Sequence, residues 1–338
     1  MKISIISFST KGFALAERLA SKLNEGVMQA QAYRCTDGML SGWTKEHFAT
    51  ADALVFVGAT GIAVRAVAPY LENKTNDPAV LVIDETAKFV IPLLSGHIGG
   101  ANRLANHAAE VLGAVPVITT ATDCNNIFAV DTWASENNIK IINPKQIKKV
   151  SASLLKGGII RFKSFFPIKG CLPSGLVMSE NECDVILSIN KGVTDSLADK
   201  ALCLVPPVLS LGIGCKKGIS AEVIETVFTN LLAKEGLCRE AVYSVCSIDI
   251  KAKEQGILAF CEAHGLLFQT FSAAELAAVS GNFALSKFVL ETTGVDNVCE
   301  RSAVLGSSGK LIIKKYTENG VAMALAIAPY TVKFGEEV

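Results

Sequence analysis

The sequence predicts an α/β protein with N-terminal and C-terminal α/β domains, each on a mostly parallel sheet, joined by a small middle α/β region. Two patterns support this class. Apolar strand-like runs alternate with amphipathic helical stretches, and glycine-rich turns stand where strands pass into helices. The length of 338 residues, 50% of them apolar, allows two or three separate cores. We expect domains at 1–124, 125–205 and 206–338.

The N-terminal third shows the alternation most clearly. Its predicted strands are 3–7, 53–57, 80–83, 89–93 and 115–119, and its predicted helices are 13–23, a segment beginning near Ile62, and 99–112. Because ligands gather at the carboxyl ends of the strands in such sheets, the turns after these strands are candidate binding sites.

The middle and C-terminal parts differ in the strength of their patterns. After a helical stretch at 128–136, residues up to 205 are lysine-rich and then rich in Gly and Pro, and Pro206-Pro207 predicts a boundary. Beyond it we expect strands at 208–213 and 243–247, helices at 221–234, 254–264, 273–279 and 286–292, and a hairpin of 311–316 and 321–327 around Asn319-Gly320. Ser220 and Gly236 are the expected caps of the first of these helices.

Charge and cysteine content narrow the function classes. Lys plus Arg equals Asp plus Glu at 32 each, so no overall field favours nucleic acid or an anionic membrane. The ten cysteines include no CxxC pair and fit reduced thiols in a cytoplasmic protein. We expect no export signal and no membrane span. A multidomain enzyme is the expected class, and an acidic ligand would need locally placed basic residues.

The turn in PLLSGHIGGAN, residues 92–102, is the leading candidate site. It places His97 between a strand end and a helix start, where Gly99 and Gly100 would let a ligand approach the first helical amides. The competing interpretation is a histidine that only bonds a turn carbonyl. Asp84 and Glu85, between two strands, are candidate general bases, although carboxylates also serve plain turns.

Two further glycine turns are candidate anion sites. The Gly58-Ala59-Thr60-Gly61 turn lacks both GxGxxG and GxxxxGK[ST], so a purely structural turn is an equal alternative. Arg65, expected in the first turn of the next helix, favours a bound anion because the helix dipole disfavours a cation there. Gly214 and Lys216 belong to a second loop with two ammonium groups. Glu300-Arg301 is either a surface pair or an acid with a carboxylate clamp.

Five blocks, in order, resemble the cobalt-precorrin-5A hydrolase family. They are LVFVGATGIAVRAVAPYL at 54–71, PLLSGHIGGANRLA at 92–105, TTATD at 119–123, LSLGIGCKKG at 209–218 and FVLETTGVDNVCERSAV at 288–304. The resemblance spans nearly the whole chain. It implies an enzyme of anaerobic cobalamin biosynthesis that hydrolyses the δ-lactone of cobalt-precorrin-5A. The bridging carbon would leave as acetaldehyde, giving cobalt-precorrin-5B.

The resemblance also implies a substrate and roles for residues. A cobalt-bearing tetrapyrrole fringed with carboxylates would bring its own cobalt, so no further cofactor or protein metal site is expected; neighbouring cobalamin-pathway enzymes are candidate partners. We expect His97 to be general base or proton shuttle, with Glu85 or Asp84 as its orienting or alternative carboxylate. Whether His97 instead ligates cobalt stays open. The expected substrate contacts are Gly58, Thr60, Gly61, Arg65, Ser95, Gly99, Gly100, Asn102, Arg103, Gly214, Lys216, Glu300 and Arg301.

Two other functions stay open. One is a non-catalytic carrier of tetrapyrrole intermediates, because the C-terminal part resembles a stand-alone protein of the aerobic cobalamin route. The other is a flavodoxin-like or sugar-phosphate-binding protein that uses the same glycine turns.

Overall fold

The structure, a computed structural model, describes residues 1–73, 76–97, 99–121 and 127–335. The chain divides into two compact units, Met1–Ser135 and Glu136–Val338. The expected α/β class is confirmed, because sheets of six, five and five strands, in which most strand pairs are parallel, are interleaved with helices. The last five-stranded sheet has two parallel and two antiparallel pairs. The division into three domains stays a prediction. No helix in the described part of the chain is both long and apolar enough to cross a membrane.

The N-terminal unit is built on the six-stranded sheet. Its strands are β1 Lys2–Ser7, β2 Gln29–Arg34, β3 Ala53–Val57, β4 Ala79–Ile83, β5 Phe89–Leu94 and β6 Val115–Pro116, in the spatial order β2-β1-β3-β4-β5-β6. The described helices are α1 Thr10–Leu23, α2 Met39–Thr50, α3 Thr60–Val67, α4 Ala101–Leu112 and α5 Val130–Glu136. Strands β1 to β4 are parallel, whereas β5 runs antiparallel to β4.

Two cores cover the two faces of this sheet. On one face Ile5 packs with Leu19 of α1 and Leu104 of α4. On the other face Phe56 packs with Trp43 of α2. Because both faces are buried, the central strands β3 and β4 are continuous apolar runs, which is why the sequence predicts them well.

The reversal of β5 puts its two ends at opposite edges of the sheet. Val90 pairs with Ile83 at the end of β4, and Leu94 pairs with Val80 near its start. The turn at 84–88 therefore lies at the carboxyl edge of the parallel strands. The loop after Leu94 lies at the other edge, roughly 17 Å away along β5 at about 3.3 Å per residue.

The C-terminal unit begins with a five-stranded sheet of short strands. Its first elements are β7 Lys140–Ile141, α6 Ile147–Leu155, β8 Ile160–Ser164, β9 Ile168–Lys169, β10 Leu176–Met178, β11 Val185–Leu187, α7 Lys191–Leu197 and β12 Leu202–Val205. The sheet has the order β10-β8-β11-β12-β7. The sequence predicts none of these strands, because runs this short show no clear period.

A second five-stranded sheet forms the rest of this unit. Its elements are β13 Leu209–Cys215, α8 Ala221–Glu235, β14 Val242–Ile248, α9 Gln255–His264, β15 Leu267–Phe271, α10 Ala273–Ala278, α11 Lys287–Thr293, α12 Cys299–Ser307, β16 Lys310–Glu318, β17 Val321–Ile327 and β18 Val332–Lys333. The order is β15-β14-β13-β17-β16, and β18 pairs with β9. The predicted hairpin is confirmed, with positive φ at Asn319 and Gly320 (49° and 79°). Ser220 and Gly236 occupy the predicted cap positions of α8.

Helix α12, which the sequence does not predict, packs against the middle of β13. The contact depends on Gly212, because a Cβ there would lie 1.8 Å from the carbonyl oxygen of Cys299. The opposite face of the sheet packs against α8 and α9 through Phe228 and Phe260. Strands β13 and β14 are therefore buried on both faces, and their carboxyl ends are left at one edge for a ligand site.

Candidate active site

The loop after β5 presents His97 to a buried carboxylate. His97 Nδ1 lies 3.4 Å from Oδ2 of Asp131, which stands in the first turn of α5. The side chain of Asp131 is 6% exposed and that of His97 is 18% exposed. The distance is within ion-pair reach, although it is longer than an ideal hydrogen bond. Catalytic hydrogen bonds are often this long before substrate binds.

Asp131 is held as a carboxylate despite its burial. Burial raises the pKa of its carboxyl group, but the contact with His97 and the backbone N–H groups of Asp131 and Thr132 outweigh that effect, so the net pKa is lowered. An ionised carboxylate beside Nδ1 fixes the orientation of the imidazole. It also stabilises the positive charge that the ring gains when it accepts a proton.

The predicted pairing of His97 with Asp84 or Glu85 does not occur. Both carboxylates belong to the turn between β4 and β5, and the strand register puts that turn at the opposite edge of the sheet from His97. The physical reason is the antiparallel direction of β5, which carries the chain across the whole sheet. Asp131 takes the position that the sequence analysis gives to those residues.

Asp84 organises its own turn. Its carboxylate accepts the backbone N–H groups of Thr86 (2.9 Å), Lys88 (2.9 Å) and Phe89 (2.6 Å), and also the Thr86 hydroxyl. Burial raises the pKa of Asp84, but these hydrogen bonds lower it overall. A carboxylate stabilised by four donors is a poor general base, because protonation would weaken every one of these bonds. Glu85 is half-buried in the same turn.

The glycines of the loop between β5 and α4, which carries His97, are needed because neighbouring side chains occupy the space beside them. A Cβ at Gly99 would lie 2.3 Å from Cβ of Ser95, and one at Gly96 would lie 2.9 Å from Oδ1 of Asn102. Ser95 has a φ of 56°, in the left-handed region. Asn102 donates through Nδ2 to the Thr120 hydroxyl (2.8 Å). The loop is therefore a closely packed frame around His97.

The amides at the start of α4 are already used inside this loop. Gly100 N–H donates to the carbonyl of His97 (2.9 Å), and Ala101 N–H donates to that of Ser95 (3.1 Å). The next amide, that of Asn102, donates to a loop carbonyl at 3.0 Å. The expectation that a ligand approaches the first helical amides is therefore corrected for these three donors.

The Gly58 turn shares the carboxyl edge of the sheet with Asp84. Gly58 N–H donates to the carbonyl of Ile83 (2.8 Å), so this amide serves the fold. Thr60 and Gly61 form the first turn of α3, which has no side-chain cap. A role for these two amides in substrate binding stays a prediction.

The two predicted arginine clamps of the N-terminal unit are exposed. Arg65 lies in the last turn of α3 and donates to the carbonyl of Gly61 (3.4 Å). The helix dipole favours a cation at that end, so the expected first-turn position is wrong and gives no argument for a bound anion. Arg103 is exposed in the first turn of α4.

A cavity of about 1310 Å³ opens at the carboxyl ends of β13 and β14. It is larger than the roughly 300–1,000 Å³ of sites for small ligands. Gly214 and Lys216, both predicted contacts, line it, as do the N-terminal residues of α8 and α9. Its described lysines are Lys216, Lys217, Lys251, Lys253 and Lys315, and its described glutamates are Glu222 and Glu254. The excess of ammonium groups and the two helix N-termini favour an anionic ligand.

The same cavity has apolar walls. Phe288 and Ile250 line it and are 76% and 65% exposed, although large apolar side chains are usually buried. Val289 and Val298 add to this surface. An apolar surface surrounded by ammonium groups suits a flat ring with carboxylates at its rim, because Phe and Ile contact the ring while Lys pairs with the acids.

Glu300 and Arg301 are both engaged by the protein itself. Glu300 is 0% exposed, and its carboxylate accepts the N–H groups of Ala284 (2.8 Å) and Lys315 (2.7 Å). Arg301 pairs with Asp296 (2.8 Å) and donates to three backbone carbonyls. A direct ligand contact by either would break these bonds. Their predicted substrate roles stay predictions that the present contacts do not favour.

Sequence patterns predict neither Asp131 nor the apolar side chains that line the C-terminal cavity. Asp131 is far from His97 along the chain, and no local pattern links the two. Phe288 had a usable signal, because it follows a helix-cap serine in one of the five recognised blocks. Thr122 and Asp123 of the TTATD block lie outside the described residues. Among the residues that are described, no group of three or more His, Cys, Asp or Glu side chains could hold a metal ion.

Family models and known relatives match this chain to the same family over most of its length. Residues 42–123 match the family model described as "Cobalamin synthesis G N-terminal", and residues 209–326 match "Cobalamin synthesis G C-terminus". The chain is 33% identical to the cobalt-precorrin-5A hydrolase of Salmonella typhimurium, covering 96% of this chain and 97% of the relative. It is 31% identical to that of Priestia megaterium, over 92% and 87% of the two chains.

A solved structure is also similar. It is a cobalamin biosynthesis protein G homologue from Sulfolobus solfataricus, 28% identical, with 96% of this chain and 97% of that chain covered and a TM-score of 0.44.

Proposed function

Because the chain belongs to the cobalt-precorrin-5A hydrolase family, we propose that His97 moves the proton in lactone opening and that the C-terminal cavity holds the tetrapyrrole ring. As a member of that family the protein is a hydrolase of cobalamin biosynthesis. The observation that carries the assignment of His97 is its contact, at 3.4 Å, with the buried carboxylate of Asp131. A histidine held in this way is suited to accept and return a proton.

Lactone opening needs a base for the attacking water and an acid for the leaving oxygen. With Asp131 holding Nδ1, Nε2 of His97 is the nitrogen that takes the proton from water. The water oxygen then bonds to the lactone carbonyl carbon, the ring C–O bond breaks, and the proton on Nε2 passes to the alkoxide that leaves. Such a proton transfer contributes roughly 10²–10⁴-fold to a rate.

We propose that the alcohol freed in this way loses the bridging carbon. A base removes the hydroxyl proton, the bond between the carbinol carbon and the macrocycle breaks, and acetaldehyde leaves. The electron pair of the broken bond moves into the conjugated ring, which is then protonated. The macrocycle is the electron sink, and its cobalt arrives with the substrate, so the protein supplies orientation and proton transfer.

The cavity of the C-terminal unit supplies substrate binding in this proposal. Lys216 and Lys217 would pair with rim carboxylates, while Phe288 would contact the flat ring. Because carboxylate–ammonium attraction is screened by salt, binding should weaken as ionic strength rises. This dependence of binding on salt would distinguish a ligand with a charged rim from an apolar ligand.

The alternative function is a carrier that binds the ring without chemistry. It is favoured by one observation, namely that the cavity is formed entirely by residues of the C-terminal unit, whereas His97 belongs to the N-terminal unit. A carrier needs only the cavity.

We also propose a cytoplasmic location, supported by the nine described cysteines, all of which are free thiols.

Acetaldehyde release from the lactone intermediate tests the proposal. The purified protein is incubated anaerobically with the lactone intermediate. Acetaldehyde is measured with coupled alcohol dehydrogenase, and the mass of the macrocycle is measured by mass spectrometry. One acetaldehyde per ring converted is the expected result. Binding without release would establish the carrier function, and absence of binding would contradict the assigned substrate.

A further inference from the structure

We propose that Glu254 is a positioning residue that holds the lysine loop of the C-terminal cavity, residues 214–219, in its binding shape. The nature of the ligand, a flat ring with several carboxylates, rests on the proposed function. The geometry of the loop does not depend on it.

One carboxylate joins the ends of two neighbouring strands. Oε1 of Glu254 accepts the backbone N–H of Gly218 (2.8 Å), and Oε2 accepts from Nζ of Lys251 (2.8 Å). Gly218 lies just beyond β13 and Lys251 just beyond β14, while Glu254 directly precedes α9. The side chains of Lys251 and Glu254 are only 14% and 10% exposed, so this pair is shielded from solvent. Breaking this partly buried pair at one partner leaves the other charge uncompensated, which costs more than at an exposed pair and less than at a fully buried one.

The loop has a second attachment on the other side. Lys216 N–H donates to the carbonyl of Gly320 (3.1 Å). A Cβ at Gly320 would lie 3.1 Å from Cδ of Lys216, so the aliphatic part of this lysine lies against the glycine. Lys217 stands between the two attached residues, Lys216 and Gly218. Both ammonium groups of the loop are therefore carried on a backbone held at two points.

The ion pair of Lys251 with Glu254 also indicates that the lysines of the cavity have different roles. Lys251 is neutralised by Glu254 and is in contact with Cys215, so it belongs to the wall. The hydrogen bond from Lys251 lowers the pKa of Glu254 and keeps it ionised at neutral pH. Lys216, Lys217, Lys253 and Lys315 are the other lysines in the described cavity lining. We assign substrate pairing to Lys216 and Lys217, because the attached loop carries them.

If Glu254 positions the loop, its removal should change the binding affinity in the direction opposite to that expected from its charge alone. A negative charge in a cavity that binds a polyanion is unfavourable, so removing it should tighten binding if charge alone matters. If Glu254 shapes the loop, removing it should weaken binding. Glu222 is the matched control, because it lines the same cavity, is exposed, and bonds to Ser220 rather than to Gly218.

Amide hydrogen exchange tests the attachment without any ligand. We expect the Gly218 amide to exchange on the order of tenfold faster in Glu254→Ala, as loss of a charge-assisted hydrogen bond implies. Glu254→Gln, which keeps an acceptor oxygen and the side-chain size, should give a smaller increase and guards against misfolding of the alanine variant. Glu222→Gln should exchange like the wild type. Unchanged Gly218 exchange in both Glu254 variants would overturn the proposal.

Binding of uroporphyrin, a flat macrocycle with acetate and propionate groups around its rim, tests the consequence. We expect the Kd to rise about tenfold in Glu254→Ala and to stay equal or fall in Glu222→Gln, with kcat on the natural substrate retained at saturation. Tighter binding by Glu254→Ala would overturn the positioning role. If wild-type protein did not bind uroporphyrin while Gly218 exchange changed as expected, the ligand assignment would fail and the loop attachment would stand.

Discussion

The loop that carries His97 and the lysine loop of the C-terminal cavity are built from the same sequence elements and differ in what fills them. Both follow a strand, contain several glycines and lead toward a helix. Around His97, the space at Gly96 is taken by Asn102 of α4 and the space at Gly99 by Ser95 of the loop. In the lysine loop, Gly214 and Gly218 face an open cavity.

The closely packed loop and the open loop are suited to different tasks. A loop that uses its own amides and side chains is rigid, which suits a single imidazole that must keep one orientation beside Asp131. A loop whose two lysines lie between backbone attachments at Lys216 and Gly218, and which faces open space, suits ammonium groups that pair with a large ligand. We therefore expect substitutions in the first loop to change the rate of the chemical step. Substitutions in the second should change affinity.

Replacement of His97 should have the largest effect. We expect His97→Gln to lower kcat by roughly 10²–10⁴-fold, because the proton transfer loses its base, while substrate affinity stays the same. Steady-state kinetics together with equilibrium binding measures both quantities. His107→Gln is the control, because His107 lies on α4 with only a loose contact of 4.0 Å to Glu110. Full turnover by His97→Gln would refute the proton-transfer role.

Replacement of Asp131 should have the next largest effect. We expect Asp131→Asn to lower kcat by about ten- to a hundredfold, because the imidazole loses the carboxylate that orients it and balances its charge. The acid limb of the pH–rate profile should move to lower pH, since the protonated ring is less stabilised. An unchanged pH profile with a lowered kcat would point to a structural defect instead.

Replacement of Lys216 should affect binding at a smaller scale. We expect Lys216→Ala to raise KM about tenfold at low salt with little change in kcat, because one ammonium–carboxylate contact is lost. The difference from the wild type should shrink as salt is added. Lys148→Ala, at an exposed position on α6, is the control and should bind normally. An unaltered KM for Lys216→Ala would contradict the role of the lysine loop.

Replacement of Asp84 should leave activity intact and lower stability. The folded pKa of Asp84 is lowered, so its contribution to stability is complete above the unfolded pKa of about 3.9 and is lost as pH falls through the lower folded value. We expect Asp84→Asn to cost about 1–2 kcal/mol at pH 7, with the difference fading at acid pH. Denaturant unfolding across the pH range measures this. A large loss of kcat would restore Asp84 as a catalytic candidate.

The fold could be predicted where strands are buried on both faces. Strands β3 and β4 are recognisable because they are apolar throughout, and β1 because its isoleucines form a mostly buried run. Strand β2 is not predicted, because its sequence QAQAYR is that of a half-exposed edge strand. Helix α12 is not predicted either, because the small residues that let it approach Gly212 give little amphipathic pattern.

The site could be predicted only in part, for a topological reason. His97 stands out by its glycine surroundings, and Gly214 and Lys216 by their loop. The turn of residues 84–88 is too short for a parallel crossover and therefore indicates that β5 runs antiparallel to β4. The choice of Asp84 and Glu85 as partners of His97 overlooks this constraint, which sends the two ends of β5 to opposite edges of the sheet. Asp131 is missed because it follows His97 by more than thirty residues and no local pattern links the two.

A single-turnover experiment with enzyme in excess tests most directly whether the two loops have separate tasks. The rate of lactone opening is followed by mass spectrometry for the wild type, His97→Gln and Lys216→Ala at enzyme concentrations that saturate each variant. We predict that Lys216→Ala then reacts at nearly the wild-type rate, whereas His97→Gln binds the ring but remains at least a hundredfold slower. Equal rates for wild type and His97→Gln, or a slow Lys216→Ala at saturation, would contradict the account.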